Sequence, residues 1–413
     1  MDFLATPTRR RILFTALYFS EGAPVGFLWI AIPTLLRSRN VDVASITAVT
    51  SLLVAPWTLK FLWAPLLDVC RGARWGYRHW ILLSQTLMTL TLAPLLAFDL
   101  RGDIEQQLTW LTPLLVLHAV FASTQDAAID GLCIASTESV ERGRLNGWMQ
   151  AGFRVGMALL GGGVLLLVDD IGFRGAVACL VAVTGCSMLL IAMSHASRHD
   201  EPRLHIARRA RLSLLAIGRV LRSPTTWLGI LFALTAGAAF EASGAIEGPL
   251  LLDRGFSKQA IGAYQSGPKI VLIVIGSLLG GWSADYVPRR LLVALALSVN
   301  IASVAALAGG DLAFRGQHGA HLLVLASLVA FTTGVFLASS YALLMDLTAR
   351  RVAATQFSAY MSAGNGCESW STYAVGLLIA PYGYPFSLLT MCALSLGTVP
   401  LVLLLRPRSK VDG

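Results

Sequence analysis

Asp126 and Asp130 stand four residues apart in an otherwise apolar run, a spacing that sets both side chains on one face of a helix, about 6 Å apart. Two carboxylates that close resist being ionised together, so the pair can hold a proton near neutral pH. Glu21, Lys60, Arg154, Glu241, Lys269 and Glu368 also fall inside apolar runs. An ionisable group in hydrocarbon is costly unless it meets water or a partner, so each marks a place where something other than lipid is met. At about 1.5 Å per residue, Glu21, Arg154 and Lys269 lie roughly 13 to 15 Å deep. Glu21, Asp126 and Asp130 are therefore candidate proton carriers, and Arg154 and Lys269 are candidate partners for anionic groups. Tyr18, Gln125, Gln150, Glu241, Gln265 and Glu368 complete the set of candidate ligand contacts. Structural roles compete with these: Asp126 or Asp130 neutralising Arg154 or Lys60, Glu368 pairing with Lys269, and Glu247 hydrated at an outer rim.

The elements that must carry these groups follow from composition. Of 413 residues, 55% are hydrophobic and 13% charged, about half the charged fraction of a soluble domain. Such a chain belongs in lipid, where only helices or closed barrels satisfy the backbone. The apolar runs are long enough for helices: 12–36, 44–66, 80–98, 110–136, 145–168, 172–193, 226–251, 259–284, 291–309, 321–345, 355–379 and 385–405. The expected fold is all-α integral membrane, with twelve transmembrane helices in two pseudo-symmetric six-helix bundles.

Lys and Arg of the N-terminal tail and alternate loops outnumber those of the opposite loops by about three to one, which places both termini in the cytoplasm of a multi-pass inner (plasma) membrane protein. The net charge of +9 is spent on that orientation, and nucleic acid is not an expected partner; the bilayer and a small organic molecule are, with the chain a monomer. The first run follows Arg9, Arg10 and Arg11 and outlasts a signal sequence, so it reads as the first span. The basic stretch 195–223 separates an N-terminal bundle, 1–194, from a C-terminal bundle, 224–413; it forms an amphipathic helix on the anionic leaflet or a solvated linker. Pro24, Pro33, Pro56 and Pro65 should bend the first two spans, and Gly161–Gly163, Gly276, Gly280 and Gly281 suit close helix approach.

A repeat joins the halves. Gly281, Asp285, Pro288, Arg289 and Arg290 follow the eighth span; Asp68, Arg71 and Gly72 occupy the matching place after the second, with Ala64 where the glycine would be. Glycine permits close helix approach, and the aspartates and arginines suit contacts that break as bundles rock. The pattern resembles the major facilitator superfamily. A finer likeness rests on Tyr18 to Pro24, Thr58 to Asp68, Ala122 to Asp130 and Ala354 to Phe357, which resemble the AmpG muropeptide permease and acetyl-CoA transporter branch, itself similar to siderophore importers of the RhtX/FptX kind. Two additional spans that AmpG-like permeases often carry are not found.

The resemblance implies a secondary transporter, working by alternating access and proton-coupled, that imports a bulky anionic or zwitterionic solute: a muropeptide, a siderophore or a CoA thioester. A drug or metabolite efflux carrier is the alternative, and a non-transporting sensor or scaffold a third. No phosphate-binding loop, HExxH or CxxC is present, so neither ATP-driven pumping, nor an enzyme, nor a cofactor is expected. The six cysteines are scattered and read as small apolar residues.

Overall fold

Backbone N–H and C=O groups in hydrocarbon must bond within their own segment, and the structure is helical throughout. The computed structural model describes residues 2–38, 43–70, 75–97, 104–194, 206–313 and 319–405. In chain order the helices are α1 (Pro7–Gly26), α2 (Ile32–Ser38), α3 (Val43–Leu59), α4 (Ala64–Val69), α5 (Tyr77–Leu92), α6 (Ile104–Ser136), α7 (Ser139–Ala158), α8 (Val164–Met193), α9 (Ile206–Leu221), α10 (Pro224–Thr235), α11 (Ala238–Asp253), α12 (Lys258–Ser266), α13 (Pro268–Tyr286), α14 (Arg289–Ala313), α15 (Ala320–Leu347), α16 (Ala353–Leu396) and α17 (Val399–Leu404). Several spans are built from two of these. α1 and α2 are joined by one π-helical turn, Phe27–Ala31, just after Pro24; α3 and α4 are joined by the 3₁₀ turn Lys60–Leu62 between Pro56 and Pro65. Proline removes a backbone donor and crowds the preceding turn, so the ladder re-forms with a different period beyond it.

Among the described residues, eight helical segments are by length and hydropathy alone long enough to cross a membrane. One of them, Arg350–Leu404, runs for 55 residues and is kinked at Gly383. The spans built from α3 and α4, from α6 and from α7 do not register, and these carry Lys60, Asp68, Asp126, Asp130, Arg142, Gln150 and Arg154. In the second span, Leu52–Leu62 is apolar but short of the length that would register. The expected basic linker contains α9 over its second part; residues 195–205 lie outside the described residues.

The chain forms two compact units. The first takes 1–137, 152–218 and 350–358, and the second takes 138–151, 219–349 and 359–413. In the first unit Phe27, Leu28, Leu53, Met88, Leu92, Leu115 and Leu180 are fully buried in a shared core, and Trp29 meets Trp57 edge-on at 5.7 Å. Lipid is as apolar as these side chains, so helix association relies on close backbone approach. A Cβ on Gly22 would stand 2.9 Å from the carbonyl carbon of Phe153, and one on Gly26 would stand 2.8 Å from that of Met157, which seams α1 to α7. In the second unit Gly276 and Gly280 of α13 lie against the backbone of Phe331 and Val335 on α15. Gly172 and Gly383 turn their chains with φ 68°, ψ 174° and φ 74°, ψ 174°, a region open in practice to glycine alone.

Candidate functional site

In the first unit the bent helices bring α1, the Lys60 turn and α6 together. Trp63 Nε1 donates to Thr124 Oγ1 at 3.0 Å, which fixes the 3₁₀ turn against α6. Lys60 then makes an ion pair with Asp126, at 2% and 5% exposure. One turn further, the Tyr18 hydroxyl donates to Asp130. Glu21, a turn beyond Tyr18 on α1, is buried, within electrostatic reach of Asp126, Asp130 and Lys60, with its Oε2 unpartnered among the described residues. Of the alternatives for Asp126 and Asp130, the pair formed is Lys60 with Asp126. Three carboxyl groups thus share one ammonium and one phenol. Gln125 is fully buried, and neither its amide oxygen nor its nitrogen finds a partner among the described residues. Arg154 on α7 is half-buried, with its guanidinium carbon 5.7 Å from the Phe153 ring and no ion pair among the described residues. Gln150, four residues earlier, is buried and belongs to the second unit.

The second unit places its charges differently from expectation. Helix α12 stops at Gly267, whose φ −116° and ψ −90° are not helical, and α13 restarts with Pro268. Lys269, the next residue, reaches Glu247 Oε1 at 2.8 Å, and Gln265 Nε2 donates to the same oxygen at 3.2 Å. Glu247 is 3% exposed, so it is not a hydrated rim residue. Counting residues inward from the end of the seventh span misses this, because the lysine stem spans the remaining depth. Glu368, expected as the partner of Lys269, is exposed, and Glu241 is half-buried; both lie within electrostatic reach of Cys367.

The repeated acidic motif is engaged in both units. In the first, Asp68 is 1% exposed and accepts from Thr355 N at 2.7 Å, Thr355 Oγ1 at 2.6 Å, Ala354 N at 3.3 Å and the Tyr77 hydroxyl. It therefore caps the start of α16, where backbone N–H groups lack intrahelical partners. Arg71 lies outside the described residues. In the second, Asp285 accepts from Arg144 N at 3.1 Å and pairs with the Arg144 and Arg289 side chains at 3.5 and 3.8 Å. Arg289 also pairs with Asp346, which Arg142 reaches at 3.1 Å. Gly281 is required here, since a Cβ would stand 2.6 Å from the Gly143 carbonyl oxygen. Arg290 stands outside this cluster, exposed, with its donor 3.4 Å from the Leu403 carbonyl.

Tyr77, Arg142, Arg144 and Asp346 were not singled out in the sequence. The one available signal was positional: basic pairs follow the fourth span at Arg142 and Arg144 and the tenth at Arg350 and Arg351.

Comparison with known proteins agrees with this architecture. The model of the Major Facilitator Superfamily matches residues 14–367, and the chain belongs to that family. It is a multi-pass membrane transporter of the major facilitator fold, with twelve spans in two pseudo-symmetric bundles, and not an enzyme. It is 22% identical over 417 residues to the protein named putative transporter AmpG 4 of Rickettsia conorii, covering 95% of each chain. It is 29% identical over 170 residues to the anhydromuropeptide permease of Escherichia coli K12, a stretch that is 40% of this chain and 33% of that one. Among solved structures, the E. coli fucose:proton symporter FucP aligns with a TM-score of 0.72 at 13% identity, covering 96% of this chain and 98% of that chain. The human organic anion transporter MFSD10 aligns at 0.73 and 14%, covering 96% and 100%. Identities that low speak for the fold alone.

Proposed function

We propose that this transporter imports a bulky anionic or zwitterionic solute of the muropeptide class across the inner membrane, driven by protons. The observation that carries the reading is the buried cluster of the first unit, in which Glu21, Asp126 and Asp130 share the single ammonium of Lys60. Fully ionised, it would hold unneutralised negative charge in a dry site, at several kcal/mol per ion by order of magnitude. Such a cluster keeps protons when closed and exchanges them when water enters. Its titration belongs to the group as a whole.

Arg154, without an ion pair among the described residues, and Lys269, beside a helix break, are the cations available to the cargo; broken helices at mid-membrane are where carriers hold ligands. The AmpG-like and anhydromuropeptide permease relatives support muropeptides ahead of siderophores or CoA thioesters. Transport proceeds by alternating access between residues 1–194 and 224–413 of a monomer, with both termini cytoplasmic, as the distribution of basic residues favours.

The test is a competitive uptake panel in proteoliposomes: an anhydromuropeptide, a ferric siderophore and acetyl-CoA, each with and without an inward proton gradient. Accumulation of the first alone, abolished by Glu21→Gln and by Asp126→Asn and weakened in affinity by Arg154→Gln, is the expected outcome. Full gradient-driven accumulation in both carboxyl variants would remove the cluster from coupling, and uptake of only another panel member would replace the cargo class.

A further inference from the structure

We propose that Glu247 is a second proton site, filled when an anionic group of the cargo takes Lys269 from it. This rests on the reading that Lys269 meets an anion. Glu247 Oε1 is held by Lys269 at 2.8 Å and by Gln265 at 3.2 Å, with the Glu247 side chain 3% exposed and the Lys269 side chain 21% exposed. The lysine is thus the accessible member of the pair and the glutamate the sealed one. The break at Gly267 and Pro268 sets Lys269 at the start of α13, with no helical turn in front of it on its own element.

Suppose a carboxylate of the cargo reaches that ammonium. Lys269 can turn to it, and Glu247 is left as a buried charge whose remaining donor is the neutral amide of Gln265. A buried anion stripped of its cation neutralises itself by taking a proton. The balance is simple: one proton passes from water to a Glu247 oxygen for each cargo anion bound, and the site goes from one ion pair to another plus a neutral acid. Cargo charge and proton then enter together without net charge at this site.

From α12, Tyr264 lies within electrostatic reach of Glu247, with its hydroxyl oxygen 3.5 Å from Ser327 Oγ. On α11 itself stand Glu241 and Asp253, the latter accepting from Tyr384. On α14 Asp311 is bound by Arg254 at 2.6 Å, and on α15 Asp346 is bound by Arg289. His321 stands in the first turn of α15, Tyr341 further along it, and Asp285 and Tyr286 at the far end of α13.

The experiment has an arm that needs no cargo. Lys269→Gln deprives Glu247 of its cation permanently, so difference infrared spectroscopy of the purified protein should show an added protonated-carboxyl C=O band. That band should vanish in the Lys269→Gln, Glu247→Gln double variant and be absent from Lys269→Arg, which keeps the charge. Its absence from Lys269→Gln overturns the proposal.

In the second arm, an anhydromuropeptide is added to lightly buffered protein and proton uptake is read with a pH dye. Wild type and His321→Gln should take up one proton more per bound ligand than Glu247→Gln, whose affinity should equal or exceed wild type and vary less with pH. Equal uptake by Glu247→Gln also overturns it. Failure of the anhydromuropeptide to bind would instead count against the cargo class, and the infrared arm would still decide the proton site.

Discussion

Changing Asp68 to Asn tests whether the motif aspartate of the first unit acts as a helix cap. The carboxylate faces at least four donors, two of them the backbone N–H groups of Ala354 and Thr355, and it is 1% exposed. Asparagine is nearly isosteric but offers one acceptor oxygen and turns two hydrogens of its own toward groups that also donate. The Tyr77 and Thr355 hydroxyls can rotate to accept; the two amides cannot. A hydrogen bond to a charged acceptor contributes about 1.5–3 kcal/mol, and losing the charge at both amides should cost about 2–4 kcal/mol. At about 1.4 kcal/mol per tenfold, the first turn of α16 should open roughly 30 to 700 times more often. Hydrogen exchange followed by mass spectrometry on peptides covering residues 353–358 reads this directly. Thr355→Val, which removes one side-chain donor and leaves both amides bonded, should change exchange far less. Unaltered protection of Ala354 and Thr355 in Asp68→Asn would refute the capping argument, whatever happened to transport.

Further outcomes follow from the packing. Lys60→Met leaves Asp126 buried and uncompensated and should cost about 3–5 kcal/mol in thermal unfolding of the purified protein, whereas Lys60→Met with Asp126→Leu should recover most of that loss while remaining inactive. Gly22→Ala pushes a methyl against the Phe153 backbone and should destabilise by about 1–3 kcal/mol; Gly244→Ala, with open space around it, should stabilise α11 by about 0.5–1 kcal/mol. Gly383→Ala meets no atom within 4 Å, yet its backbone should make it cost about 1–3 kcal/mol. Gly376→Ala, equally uncrowded, should not be destabilising, and equal melting temperatures for that last pair would dismiss the torsional explanation.

The order of spans was legible because hydrocarbon selects against polar residues over twenty positions at a time. The site was legible wherever a charge interrupted such a run: Glu21, Asp126 and Asp130 drew attention for that reason, and Lys60 was one of two cations weighed as their partner. Glu247 was misjudged because depth counted along a sequence ignores how far a lysine reaches and where a helix breaks. Asp346, Arg142 and Arg144 were passed over because they stand at the ends of spans, where charges need no special explanation. Their meaning lies in pairings between segments distant in sequence, such as Arg144 with Asp285, and no periodicity encodes these.

The corners at Gly172 and Gly383 set a limit on how the chain can vary. Their surroundings in sequence, Asp170-Ile-Gly172-Phe-Arg and Pro381-Tyr-Gly383-Tyr-Pro, have little in common, yet their torsions agree within a few degrees. Side chains around such a bend can change so long as polarity is kept, but the glycine itself cannot be replaced without strain. These two corners are therefore fixed points of the chain, closed to every residue that carries a Cβ.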